Sequence, residues 1–460
     1  MIEDIIGNAL DGTKYYTEVR AHRNVNYAAA MTAGNLTSNS KTSVDGVSAR
    51  VFKDGLWGFS STSEYTRDAV KDVISASVRN AEFLTGKVKK KSSLYVTEPI
   101  DFTSERDFVS VNQKDIIDYV KKLDEYIVSK YPGLASRSVI LVCDSMEKLL
   151  KTSEGSVSHQ INPRACLYID LSAEANDGTT VELLDVARCG CGYFYDYFKD
   201  SEEIYPKVDA LYEELMKKRE GIFSTAGYKD VIIAPSIAGM IAHEAVGHTV
   251  EADLVAAGSV AKGKIGQKVA SDLVSIIDFA NTALGQTAPL PVYVDDEGVK
   301  AEDAVLIKDG ILTGYMNNRE SAVVNNMKPT GNARAHTFSD EPIIRMRNTA
   351  ILPGKDKLED MISSIDDGYY LTRSLNGQAD TTGEFMFGVT MGYEIKNGKL
   401  GRAIRDTTIS GVAFDMLKTV DMLSDKVEWA SSGYCGKKQL MPVSDGGPAV
   451  KCKVNIGGQA

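Results

Sequence analysis

Apolar residues at Ala69, Val70, Val73, Ile74, Ser77, Val78 and Ala81 recur at helical spacing and predict a helix that Gly86 stops. Just before it, Arg50–Phe52 and Leu56–Phe59 flank Lys53-Asp54-Gly55, the signature of a hairpin closed by a type I′ turn. A second helix is expected with Ile116, Val120, Leu123 and Ile127 on one face and Pro132 beyond its end. Strand-like alternation follows at 138–144 and 165–173, with turn signals at Gly155 and Asn176-Asp177-Gly178. A charged helix over 208–219 ends at Gly221. From there on strands and short glycine turns dominate, such as Asp309-Gly310 and the Asn397-Gly398 between 391–395 and 400–404.

This patterning predicts an α+β protein. A smaller N-terminal α+β region precedes a large, curved, barrel-like and mostly antiparallel sheet that carries one central helix. Three segments are expected: 1–105, 106–221 and 222–460. There is no βαβ alternation, no repeat of fixed period, and neither a G-x-G-x-x-G after a strand nor a P-loop, so nucleotide-fold readings lack support.

Composition narrows the function classes. The 460 residues hold 52 Lys+Arg against 63 Asp+Glu, a net charge of −11, which disfavours a nucleic-acid partner. The run Lys87-Val88-Lys89-Lys90-Lys91 is a local exception and reads as a solvated linker. The acidic start, Met1-Ile2-Glu3-Asp4, is unlike a signal peptide, and Pro235 interrupts the most apolar stretch, 231–242, well short of a membrane span. Six irregularly spaced cysteines do not form a disulfide framework, so a reducing cytoplasm is expected, with no membrane partner.

The chemistry concentrates in Ile241-Ala242-His243-Glu244-Ala245-Val246-Gly247-His248-Thr249-Val250-Glu251-Ala252-Asp253. Two of only five histidines bracket a glutamate in an apolar helix, and H-E-x-x-x-H arises by chance on the order of four times per thousand such sequences. Histidines at i and i+5 on a regular α-helix stand about 140° apart and cannot share a metal. A π-turn or an unwound helix end brings them together, and Gly247 is expected to tolerate that distortion; close helix packing at Gly247 is the plainer alternative. A hydrolytic zinc site needs three protein ligands and an open position. The third ligand is open between Glu251, Asp253 and a cysteine, of which Cys435 stands out in the glycine-flanked Ser432-Gly433-Tyr434-Cys435-Gly436-Lys437. Cys189 and Cys191 make at most half a closed site, and their C-x-C spacing fits a redox pair poorly. Glu244 points around the helix from His243, the place for a general base beside a metal. Two His and a thiolate favour Zn²⁺, with iron or cobalt as competitors for the same ligands.

These residues resemble the TldD/PmbA family of metallopeptidases, once labelled modulators of DNA gyrase. The resemblance runs nearly the whole length. It includes 45–59, the H-E-x-x-x-H with Glu251 and Asp253, Thr330-Gly331-Asn332, Arg345-Met346-Arg347-Asn348-Thr349, Leu352-Pro353-Gly354, Gly377-Gln378, Gly383-Glu384-Phe385 and Gly433-Tyr434-Cys435-Gly436-Lys437. It implies one Zn²⁺ per chain held by His243, His248 and Cys435, with Glu244 as general base, and places the chain on the motif-bearing TldD side. It also implies peptide substrates that are unfolded or flexible, and a homodimer or a heterodimer with a metal-free paralogue. Departures occur at Asn376, where glycine is common, at Arg347, where a small polar residue is common, and at Lys438-Gln439, where a glycine is usual. A non-catalytic interaction protein with a structural metal site is the alternative, and Glu244 is the residue that separates the two.

Overall fold

The computed structural model describes residues 2–89 and 92–457. The N-terminal unit is a seven-stranded sheet built from β1 (Tyr16–Thr32), β2 (Asn35–Lys53), β3 (Leu56–Thr62), β4 (Asp101–Thr103), β5 (Ser136–Thr152), β6 (Val157–Glu174) and β7 (Thr180–Gly190), in the order β3-β2-β1-β5-β6-β4 with β7 on β6. The β2–β3 turn is the expected one: Asp54 and Gly55 both take positive φ, at 47° and 84°, and Lys53 pairs with Leu56. The helix α1 (Arg67–Lys87), capped by the Thr66 side chain, buries Ala69, Val70, Val73, Ile74 and Ala81 against Val19, Ala21, Val47 and Ala49. It runs one residue past Gly86, where a stop was expected. Helices α2 (Gln113–Lys130) and α3 (Tyr205–Arg219) pack Ile116, Val120, Leu123, Ile127, Val208, Leu211 and Leu215 on Leu141, Leu167, Ile169 and Leu171.

Two expectations need correcting. The division at 105/106 falls inside this sheet, because β5 pairs with β1 along most of its length; the polar stretch there is a crossing segment, not a domain boundary. The strands expected at 138–144 and 165–173 are also much longer, because the helix-free face of the sheet is buried too, under polar residues. Odd positions such as Val19, Ala21 and Ala49 face α1, while Arg20, Asn24, Arg50 and Lys148 bond to residues 296–342 of the C-terminal region and Glu18 holds Arg50. Alternation then shows no exposed side for a sequence reading to find. Of the lysine run, Lys87 ends α1 and Lys89 is exposed; Lys90 and Lys91 lie outside the described residues.

The C-terminal region carries β8 (Gly227–Ile233), α4 (Pro235–Met240), β9 (Asp367–Ala379), β10 (Glu384–Lys396), β11 (Thr407–Val412), β12 (Ser444–Gly447) and β13 (Val450–Ile456). The order β9-β8-β13-β11-β10, with β10 pairing back onto β9, closes a five-strand ring that is antiparallel except at β8–β9. The fold is therefore α+β with a barrel-like second sheet. A six-stranded sheet containing Ile276–Phe279, Asn348–Ile351 and β12 flanks it. The two share one apolar core with α4 and the residues after it. No described helix is long and apolar enough to cross a membrane.

Candidate metal centre

β8 delivers the chain into α4, whose first turn accepts Pro235 because its missing N–H has no intrahelical partner there. The helix then widens to a π-turn over Ile241–Gly247 and tightens to a 3₁₀ turn over His248–Val250. That is the distortion an i, i+5 histidine pair requires. Its cause differs from the expected one. Gly247 has ordinary helical angles (φ −51°, ψ −51°), so conformational freedom is not what selects glycine. A Cβ at Gly247 would stand 2.0 Å from Met346 Sδ, so close packing of the helix on 345–349 explains it.

The π-turn sets the two imidazoles edge to face, with ring centres 5.3 Å apart. One donor atom each from His243, His248 and Cys435 lies within 4.8 Å of the others, and His248 Nε2 is 3.2 Å from Cys435 Sγ. Ligands of a tetrahedral zinc ion stand about 3.3–3.8 Å apart, so a small contraction would seat one. His243 supplies the test of fit: it is 2 % exposed, and neither ring nitrogen has a hydrogen-bond partner. Buried polar groups without partners are rare and costly, and a metal would use one of these nitrogens. Burial, with His248 and Arg345 nearby, holds the His243 pKa well below its usual value and keeps it neutral. Burial opposes charge on His248 too, but Cys435 and Glu251 raise it to about 10. Burial lifts the Glu244 carboxyl above its ordinary value against the pull of His248; its Oε2 is 3.6 Å from His248 Nε2.

Glu251 and Asp253, candidate third ligands by sequence, do not join the cluster. Glu251, fully buried, sits 2.7 Å from His248 Nδ1, and Lys437 Nζ lies 3.2 Å from the same oxygen. A carboxylate on the far nitrogen fixes the ring and leaves Nε2 for the metal. Asp253 pairs with Lys437 at 2.9 Å. The C-x-C reading also fails: Cys189 is bonded to Cys166, its cross-strand partner on β6, and Cys191 is free. One disulfide is thus present where only thiols were expected.

Other residues place Cys435. Arg345, fully buried, donates to the carbonyls of Cys435 (2.6 Å) and Gln439 (2.7 Å). Tyr434, next to the cysteine, donates to Asp144 at 2.7 Å, and the Arg164 guanidinium lies 4.3 Å over its ring. The N-terminal sheet thereby holds the strand that carries Cys435. Lys438 turns that strand back at φ 58°, where a glycine would carry no strain. Arg347, the other departure, is fully buried, 2.8 Å from Asp278, and donates to the carbonyls of Thr330 and Gly331. It braces the loop and touches no cleft. Beside the histidines opens a cleft of about 710 Å³ lined by Met240, Glu244, Gly377, Trp429, Tyr434 and Asp445.

The family model described as the PmbA/TldA metallopeptidase C-terminal domain matches residues 226–458, and that for domain 1 matches 17–81. A zinc metalloprotease TldD homolog of Saccharolobus solfataricus is 29 % identical over 90 % of both chains. A metalloprotease of Methanothermobacter thermautotrophicus is 30 % identical over 95 % of this chain and 94 % of its own. The crystal structure of TldE from Thermococcus kodakarensis superposes with a TM-score of 0.78 over 99 % of both chains at 18 % identity, sharing the fold. With motif, barrel and family models in agreement over both regions, the chain belongs to the PmbA/TldD metallopeptidase family.

Proposed function

We propose that this chain is a zinc peptidase, one Zn²⁺ held by His243, His248 and Cys435, that hydrolyses flexible peptides with Glu244 as general base. The observation that carries the reading is the buried, partnerless His243 converging with His248 and Cys435 beside a carboxylate on a cleft. Zinc, when bound, supplies Lewis-acid polarisation of a carbonyl and acidification of water. The rest is the chain's own work. Glu251 fixes the His248 ring. Glu244 takes a proton from the attacking water and hands it to the departing amine. The cleft volume suits an extended chain and not a folded domain. The acidic composition fits a protein without nucleic-acid partners, no described helix can cross a membrane, and the family resemblance supports a homodimer or a heterodimer with a metal-free paralogue.

Glu244→Gln tests this. Metal content and unfolding temperature should match the parent protein, while cleavage of a pool of unstructured peptides falls about 10²–10⁴-fold. Unchanged cleavage removes Glu244 from its role. A zinc-loaded parent protein, with any paralogous subunit supplied, that cleaves nothing favours the interaction-protein alternative.

A further inference from the structure

Asp445 sits on β12, its backbone paired with Thr349 on one side and Ala430 on the other. Its carboxylate lines the cleft of His243 and Glu244, and its Oδ1 is buried with no hydrogen-bond partner. Room for it is built in: a Cβ at Gly239 on α4 would stand 2.7 Å from that oxygen. The cations on the cleft are committed elsewhere. Arg373 holds Asp185 (2.7 Å) and Glu214 (2.6 Å), Arg188 holds Glu203 (2.9 Å), and Lys207 donates to the Ala187 carbonyl. Asp445 therefore faces the cleft with Glu244 as its charged neighbour and no cation of its own. Burial first, and Glu244 second, raise its pKa to about 8. A buried acceptor without a donor is costly, and native structures carry few of them.

We propose that Asp445 is a specificity-determining residue that receives a cationic group of the peptide substrate next to the bond being cut. The cation is either a free α-ammonium or the head of a lysine or arginine side chain. Either cation would draw the carboxyl into its ionised form and offer it N–H donors that no protein group supplies. Trp429 in the same cleft offers an aromatic surface for a cation's aliphatic stem. Asp445 would thus select which peptides are cut, while Glu244 does the proton transfer. This inference rests on the peptidase reading for its meaning in catalysis, but recognition can be measured without turnover.

The test uses matched unstructured peptides, with a free or acetylated N-terminus and with lysine or norleucine at successive positions. Binding is measured by calorimetry on the zinc-loaded Glu244→Gln protein, with and without Asp445→Asn, and kcat/KM on the protein with Glu244 intact. The cationic member of a pair should bind and react at least tenfold better, and Asp445→Asn should reduce the preference to under threefold. Loss of the free-amine preference identifies the α-ammonium; loss of the lysine preference identifies the side chain. Asp445→Ser, shorter and neutral, guards against a local fault of the asparagine and should lose the same preference. No preference in the parent protein, or one that survives both substitutions, overturns the proposal. Preference in binding without any cleavage leaves Asp445 in place and removes the peptidase reading; cleavage without preference does the reverse.

Discussion

Glu297, fully buried, and Asp445, which buries one carboxylate oxygen, sit in surroundings of opposite kind. Glu297 lies where the N-terminal sheet meets the C-terminal region. There its Oε1 is 2.7 Å from Arg50, which also holds Glu18 at 2.9 Å, while Lys148 holds Asp296 at 2.7 Å and the Arg319 amide reaches Glu297 Oε2 at 2.9 Å. Among the described residues none of these carboxylates keeps an unmet buried oxygen. The cleft of Asp445, which His243 also lines, keeps an orphaned carboxylate oxygen and two orphaned imidazole nitrogens. Paired carboxylates join the two regions; the cleft keeps polar atoms that no protein group meets. The contrast makes the degree of satisfaction, more than burial, the mark of a working site.

The comparison breaks first at Arg347, the fully buried partner of Asp278 in the bracing network. Arg347→Met leaves a buried carboxylate uncompensated, and urea unfolding should show a loss of about 3–5 kcal/mol. An effect near zero would show that the satisfied network carries no more weight than the cleft. The second prediction is a pH response. Burial, with Lys148 nearby, lowers His336 to about 4, against about 6.5 in an unfolded chain. Between those values the unfolded chain binds the proton first, so stability is whole above pH 6.5 and drains away as pH falls toward 4. The loss amounts to at most about 3 kcal/mol. His336→Gln should flatten that part of the stability–pH curve; an unchanged slope excludes His336. The smallest effect sharpens the metal side. Glu251→Gln should weaken zinc binding about 10–100-fold in a chelator competition while the His248 ring loses its anionic partner. Unchanged zinc affinity would mean that Glu251 does not orient the ligand.

The site was legible where its logic is local. His243, Glu244 and His248 lie within six residues, and their i, i+5 spacing demands the π-turn that Ile241–Gly247 adopts. The hairpins at Asp54-Gly55 and Asn397-Gly398 were legible for the same reason, since four residues decide a type I′ turn. Cys435 was singled out by its glycines, but its approach to His248 depends on Arg345, Asp144 and Arg164, which no spacing reveals.

What the sequence by itself determined is therefore the helix with its two histidines and the glutamate between them, the short turns, and the amphipathic faces of α1 and α2. Tertiary structure alone decided why position 247 is glycine, since Met346 occupies the space a side chain would take. It also decided that Glu251 bonds the His248 ring and stays outside the His243–His248–Cys435 cluster, that strands from both sides of residue 105 share one sheet, and that Asp445 lines the cleft with no protein partner for its Oδ1. Helix period and turn geometry are set by neighbours along the chain. The room left beside a backbone and the partner left to a carboxylate are set by segments that meet only when the two sheets close.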